Sequence, residues 1–242
     1  MPGPHIPVIV TRAQPGCGET AARLLSEGLM AIEAPALVLR EDLAQGLPDL
    51  SGKDLVFTSA NGVRAFISRS SLRSVRAWCV GPATADAARE AGFTSVEQSS
   101  GNARDLANYI MDRRSTGEGG LVHIANGAAK GDLQAILNEA GYSVEFCPLY
   151  HMDEAPSLPP VAIKTLQAQL PCIVMVHSAK GALAFHRLAD GLPTQHLVAV
   201  SISPAAAEPL MRLGVGEIHF APTLDEAGLF TALSVALATL SA

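Results

Sequence analysis

Two stretches far apart in this chain carry the same punctuation, and that repeat limits the possible folds more than any other feature. VFTSANGVRAF (Val56 to Phe66) matches VMVHSAKGALAF (Val174 to Phe185). Each is an apolar run, then a Ser-Ala-polar-Gly turn, then a helix-forming segment with a phenylalanine. A second unit follows each copy, WCVGPATADAAREAGFTSVEQSS after the first and VAVSISPAAAEPLMRLGVGEIHFAP after the other. Pro82 to Gly92 spans ten positions, as does Pro204 to Gly214; Pro82 to Val96 spans fourteen, as does Pro204 to Ile218. Proline suits the first helical turn and glycine the residue that ends a helix. Matched spacing of this kind predicts two similar α/β domains rather than one large sheet.

Strands are expected at Ile6–Val10, Leu55–Thr58, Ala77–Val80, Leu121–Ile124, Cys172–Val176, Leu197–Ser201 and Ile218–Phe220, with a first helix over Gly18–Leu29. Alanine- and leucine-rich helical segments lie between most of them, the pattern of parallel sheets covered by helices on both faces. CIVMV is apolar without alternation, as burial on both faces requires. Two extended passages, IEAPALVLREDL and VEFCPLYHMDE, flank the first repeat. The chain is therefore expected to cross between domains twice. One domain then comprises 1–36 plus 154–242, an inserted domain 40–146, and crossing strands 37–39 and 147–153.

Composition excludes several classes. The 242 residues are 48% hydrophobic and 17% charged, which argues against disorder. Net charge is −6 and aromatics are 5%, which argues against a nucleic-acid partner. The longest apolar helical stretch, Leu229 to Leu240, is far short of the roughly 20 residues a membrane span needs. The N-terminus lacks a basic flank and a long apolar core, so a cytoplasmic location is expected. The four cysteines (Cys17, Cys79, Cys147, Cys172) have no CxxC spacing and read as buried, reduced thiols. The seven histidines show no HxxxH or HExxH pattern, so no metal is expected. His123 and His177 are placed at strand ends, where a ligand role is open but a packed or solvent-facing imidazole is the simpler reading. Neither GxGxxG, a Walker lysine motif nor GxSxG occurs.

In open parallel sheets, ligands bind beyond the carboxyl ends of the strands. The repeated turns fall there: Thr58, Ser59 and Asn61 open one helix, and Gly81, Pro82 and Thr84 another. Ser178 and Lys180 open a third, and Ser203 and Pro204 a fourth. Helix N-termini offer unpaired N–H groups to carboxylates or phosphates, although each taken singly also reads as an ordinary cap. NGAAKGD (Asn126 to Asp132) adds Gly127 and Lys130 as an anion-binding turn or a solvated helix start. Tyr150 ends VEFCPLY beside the domain junction, where a phenol is either a weak proton donor or an amphipathic junction residue. Arg12 follows the first strand and is expected to reach the same cleft or solvent.

The ordered set of segments resembles the uroporphyrinogen-III synthase family across nearly the whole chain. The carriers are VTR (Val10 to Arg12), FTSANGVRAF (Phe57 to Phe66), VGPATADAAREAGF (Val80 to Phe93), Gly127 to Gly141, VxxCPLY ending at Tyr150, VMVHSAKGALAF and FAPTLDEAGLFTAL. The resemblance implies two flavodoxin-like α/β domains joined by a two-stranded β ladder. It implies cyclisation of hydroxymethylbilane to uroporphyrinogen III, with loss of water, inversion of ring D, and no cofactor or metal. Tyr150 would assist departure of the hydroxyl. Arg12, Thr58, Ser59, Asn61, Gly81, Thr84, Gly127, Lys130, Ser178, Lys180 and Ser203 would hold the substrate's eight carboxylates. A monomer with no membrane or nucleic-acid partner is expected.

This chain departs from the family's pattern at three places. SISPAAA puts Ser203, Ala205 and Ala206 where glycine and threonines are common. Asn126-Gly127 replaces an arginine-glycine turn, and His177 stands where a non-basic residue is usual. These departures leave open a second reading, a two-domain hinge protein that binds a tetrapyrrole or other polycarboxylate without catalysis. A regulatory derivative of the fold is a third reading, one that expects an appended DNA-binding or signalling segment, and none is expected from these residues.

Overall fold

The computed structural model describes residues 6–129 and 132–240. Each copy of the repeat builds three neighbouring strands of its own sheet. The first copy gives β4 (Asp54–Phe57), β5 (Ala77–Cys79) and β6 (Val96–Gln98); the second gives β9 (Cys172–Val176), β10 (Leu197–Ser201) and β11 (Glu217–Phe220). The remaining strands are β1 (Pro7–Val10), β2 (Met30–Glu33), β3 (Leu37–Glu41), β7 (Leu121–Asn126) and β8 (Val144–Glu154). One sheet runs β11-β10-β9-β1-β2 and the other β3-β8-β7-β4-β5-β6. The β1, β2, β9, β10 and β11 pairings are parallel, and so are those of β4 to β8. With β4 and β9 taken as the starting strands, the five-stranded sheet and strands β6-β5-β4-β7-β8 of the six-stranded one both read 3-2-1-4-5. The repeat is thus a repeat of sheet position as well as of sequence.

The chain divides into two compact units. One runs from Leu39 to Met152; the other combines the residues up to Val38 with those from Asp153 onward. In the first unit, α2 (Ala60–Ile67) and α3 (Pro82–Glu90) cover one sheet face, where Phe57, Val63, Phe66, Ala85, Ala88 and Phe93 share a core. Phe57 packs edge-on against Phe66 and Phe93, with ring centroids 6.0 and 5.8 Å away. On the other face α4 (Ala103–Arg113) and α5 (Asp132–Glu139) bury Leu106, Ile110, Leu133 and Leu137 against Val56 and Trp78. Away from the site edge, Asp54 Oδ2 accepts from Trp78 Nε1 (3.0 Å) and from Arg114 Nε (3.1 Å). Arg114 is fully buried, and its remaining donors reach the carbonyls of Ser115, Glu118, Gly119 and Gly120. A buried guanidinium satisfied in this way is structural.

In the second unit, α1 (Gly16–Ser26) and α9 (Glu226–Leu240) pack Cys17, Leu24, Leu229, Phe230 and Leu233 on one face of the sheet. The α6 (Pro160–Gln167), α7 (Ala179–Leu188) and α8 (Pro204–Leu213) helices complete the unit, and α7 packs on α8.

Two expectations are corrected. The first helix starts two residues before Gly18 and stops at Ser26, because Gly28 takes a left-handed conformation (φ 77°) and turns Leu29 out toward β2. His123 is not at a strand end: it is the third residue of β7 and is 2% exposed. All four cysteines are buried and unpaired. No described helix is long and apolar enough to cross a membrane, and no cluster of three or more potential metal ligands occurs among the described residues.

Candidate active site

In both sheets the strand order reverses between the repeat's first strand and its neighbour: at β4/β7 in one unit, at β9/β1 in the other. Such reversal points open a crevice at the carboxyl ends of the strands. Most of the polar residues singled out from the sequence sit at these two edges.

At the β4/β7 edge, Ser59 caps α2 with extended backbone (φ −163°, ψ 156°), and its Oγ accepts from Gly62 N at 3.3 Å. Ser178 caps α7 in nearly the same geometry (φ −165°, ψ 153°), accepting from Gly181 N at 3.1 Å. The Ser-x-x-Gly spacing of the repeat is therefore a capping device used twice. Gly62 has a second duty, since a Cβ there would lie 2.9 Å from the Ile124 carbonyl; only glycine lets α2 approach β7 this closely.

Tyr150 reaches this edge by a register fault. Before it, side chains of β8 alternate, with Val144 in one core and Cys147 and Leu149 in the other. Strict alternation would send Tyr150 to the Val144 side. Instead Ala125 pairs with Pro148 and Asn126 with Tyr150, so β8 carries one extra residue. This bulge turns Tyr150 onto the same face as Leu149, where it is 4% exposed and its hydroxyl lies 2.7 Å from Ser59 Oγ. Burial raises the phenol's pKa and the Ser59 bond opposes that only in part, so it stays protonated at neutral pH. The bulge also puts His151 on the opposite face, directly beneath Gly127, where a Cβ would meet the ring Cε1 at 2.2 Å. His151 Nε2 is 3.6 Å from Asp42 Oδ2.

The other nominated residues of this unit differ in placement. Thr58 follows β4, and its Oγ1 is 3.1 Å from His123 Nε2. Asn61 Oδ1 accepts from Arg64 Nη1 at 3.2 Å, and its amide lies 3.7 Å from Met152 Sδ. Gly81 caps α3 through its backbone alone, with Pro82 in the first turn. Thr84 is 5% exposed, on the face of α3 that packs inward. Gly127 N donates to the Tyr150 carbonyl at 2.8 Å. Lys130 lies outside the described residues.

At the β9/β1 edge the structure shows a cluster that sequence reasoning missed. Arg12 Nη1 donates to Glu226 Oε2 (3.0 Å) and lies 3.3 Å from Thr20 Oγ1. Thr20 Oγ1 donates to Glu226 Oε1 at 2.6 Å. His177 Nε2 is 3.3 Å from Glu226 Oε2, without the geometry of a directed hydrogen bond. Burial pushes the Glu226 carboxyl up, but His177, Thr20 and Arg12 outweigh it and bring the pKa down to about 2. Arg12 crosses the first turn of α1 because Gly16 is there; a Cβ would stand 2.4 Å from its Nε. The legible signal for this cluster was an acidic residue directly after Asp225, whose Oδ1 accepts from Gly228 N and so caps α9. Ser203 caps α8, accepting from Ala206 N at 3.2 Å, and Lys180 is exposed on the first turn of α7.

Residues 18–231 match the family model described as uroporphyrinogen-III synthase HemD. The chain belongs to the uroporphyrinogen-III synthase family. Its activity is accordingly tetrapyrrole cyclisation, closing hydroxymethylbilane to uroporphyrinogen III with loss of water and inversion of ring D. Among solved structures it is similar to uroporphyrinogen-III synthetase from Helicobacter pylori 26695 (TM-score 0.64, 16% identity, covering 96% of this chain and 99% of that one). It also matches a mutant uroporphyrinogen III synthase from the extremely thermophilic bacterium Thermus thermophilus (TM-score 0.49, 15% identity, covering 97% and 99%). The first likeness supports the α/β fold with parallel sheets. No curated protein matches the sequence.

Proposed function

We propose that this chain performs the cyclisation with Tyr150 as its proton donor and with helix N-termini as carboxylate holders. The observation that carries the reading is the bulge in β8, which turns Tyr150 to within 2.7 Å of Ser59 at the carboxyl edge of the sheet. With Ser59 donating to the phenol oxygen, the phenol's own proton is free for the substrate hydroxyl. The hydroxyl then leaves as water and gives a stabilised cation. The substituted α-carbon of ring D attacks it to form a spiro intermediate, which reopens by breaking that carbon's bond to the neighbouring methylene. The free α-carbon of ring D attacks the second cation so formed, closing the macrocycle, and the proton this carbon loses returns to the phenolate. The unassisted reaction closes the ring without inversion, so holding the chain's conformation and excluding water contribute more than acid strength.

The carboxylates are assigned to Thr58, Ser59, Asn61, Gly81 and Gly127 in one unit and to Ser178, Lys180 and Ser203 in the other. The N–H groups that helix starts leave unpaired suit them at α2, α3, α7 and α8. Arg12 has a weaker claim, because Glu226 already holds its guanidinium, and Thr84 a weaker one because it is buried. Lys130 is assigned from the sequence alone. The architecture is read as two flavodoxin-like domains, with 40–146 inserted between 1–36 and 154–242 and strands 37–39 and 147–153 crossing. The protein is read as a cytoplasmic monomer without cofactor. Hydroxymethylbilane generated in situ, followed by separation of the oxidised products, tests the function. The type III isomer should dominate; the type I isomer alone, at the uncatalysed rate, would refute it and favour a binding protein without catalysis.

A further inference from the structure

His123 takes no part in the reaction as described, yet it is a polar residue 2% exposed in the middle of a parallel strand. It stands opposite Val56 in the β4/β7 register, and Thr58 lies two residues further along the same face. The imidazole reaches diagonally, so that Nε2 comes 3.1 Å from Thr58 Oγ1, while Nδ1 is buried with no partner among the described residues. The ring packs against Phe146 in a T-shaped pair, with centroids 5.6 Å apart.

A neutral imidazole carries one N–H. On Nδ1 that proton would be a buried donor with nothing to bond, the rarer and costlier kind of orphan. On Nε2 it bonds Thr58. We propose that His123 is a positioning residue for substrate binding: its Nε2–H donates to Thr58 Oγ1, which turns the threonine's own proton outward toward a carboxylate of the tetrapyrrole. The bond to His123 is the one hydrogen bond the Thr58 hydroxyl makes among the described residues, so its hydrogen has no competing acceptor there. Thr58 is half-buried at the carboxyl end of β4, next to Ser59, at the edge where the strand order reverses. A fixed outward donor suits an acceptor-only group such as a carboxylate. The inference rests on the reading of this edge as a tetrapyrrole site, and it adds His123 as the residue that orients Thr58.

Two measurements test it. The ring-nitrogen chemical shifts of ¹⁵N-histidine-labelled protein report the tautomer directly. A protonated Nε2 and a bare Nδ1 are expected for His123, and the reverse overturns the proposal whatever the protein's activity. The second is a cycle of Thr58→Val, His123→Leu and His123→Gln, with kcat and KM for type III product measured at matched folded fraction. Thr58→Val should raise KM about ten-fold, as the loss of one charge-assisted hydrogen bond does. His123→Leu should raise KM several-fold with kcat nearly unchanged, and His123→Gln, whose amide also reaches Thr58, should recover most of the loss. Adding His123→Leu to Thr58→Val should cost nothing more. Multiplying effects, or no recovery by glutamine, would show that His123 does not act through Thr58. If unmodified protein makes only the type I isomer, the functional reading fails, while the tautomer result still decides the His123–Thr58 bond.

Discussion

Ser59 Oγ and Tyr150 OH lie 2.7 Å apart, with one residue at a helix cap and the other on a bulged strand. Ser59 therefore does two things at once: it closes the first turn of α2 and it holds the phenol. The bond to Ser59 favours the ionised phenol, against the upward push of burial. In Ser59→Ala, Tyr150 should ionise at a higher pH, read as the difference in ultraviolet titration between that variant with and without Tyr150→Phe. Both Ser59→Ala and Ser178→Ala should lose about 1 kcal/mol of stability through the lost cap. Only the first should move the phenol. An unmoved titration would remove Ser59 from the proton-donor arrangement.

Tyr150→Phe keeps the ring in its core and removes only the hydroxyl. Positioned acid catalysis contributes roughly 10²–10⁴-fold in general, and a phenol assisting an already facile departure belongs at or below the low end. We expect kcat to fall about ten- to hundred-fold with the type III isomer still formed. Unchanged single-turnover kinetics would take Tyr150 out of the mechanism.

The sequence shows the sheets more readily than the site, for physical reasons. Apolar runs such as Cys172–Val176 must be buried on both faces, and proline and glycine at Pro82, Pro204 and Gly214 mark helix ends whatever surrounds them. The direction of Tyr150 depends on a one-residue fault in pairing that periodicity cannot register. Pro148 was the available clue, since a proline inside a strand, lacking an N–H, commonly marks a bulge. The Arg12–Glu226 contact joins residues 214 positions apart, and the local signal, an acidic residue after the cap Asp225, marks Glu226 without naming its partner. His123 reads as an ordinary packed imidazole until its distance to Thr58 is known.

The cluster that His177, Thr20 and Arg12 form around Glu226 should be visible in acid. Glu226 has a folded pKa of about 2 against 4.5 for the free side chain. The depressed value means that its stabilisation is full above about pH 4.5 and is lost as pH falls toward 2. Glu226→Gln should therefore cost stability at pH 7, of order 1–2 kcal/mol after allowing for its partial exposure, and far less at pH 2. Equal loss at both pH values would mean that the carboxylate's charge is not what matters.

His123 acts in a different window. Its pKa is lowered by burial from 6.5 to about 4, so below pH 6.5 the unfolded chain takes up a proton that the folded unit refuses. Stability should fall as pH drops from about 6.5 to 4, by up to roughly 3 kcal/mol, and level off below. His196, also lowered by burial, lies in the other unit. Trp78, the single tryptophan, is buried in the unit of His123, so denaturant titrations followed by its fluorescence report that unit. His123→Gln should flatten the slope between pH 6.5 and 4, and an unaltered slope would show that His123 is not the group responsible.

Cysteine chemistry gives a test of packing that needs no substrate. Burial pushes the thiols of Cys17, Cys147 and Cys172 up to about 11 and that of Cys79 up to about 12. At pH 7 the thiolate fraction of such groups is about 10⁻⁴ or less, and the thiolate is the nucleophile. Access is blocked as well, because all four lie inside the two units. A thiol-specific chromogenic reagent should therefore react with four groups in denaturant and almost none in the native protein. Native reaction should proceed only at the rate of unfolding and slow when the protein is stabilised. Fast stoichiometric labelling of any one of them in the native state would mean that its segment opens far more readily than the packing of these cores implies.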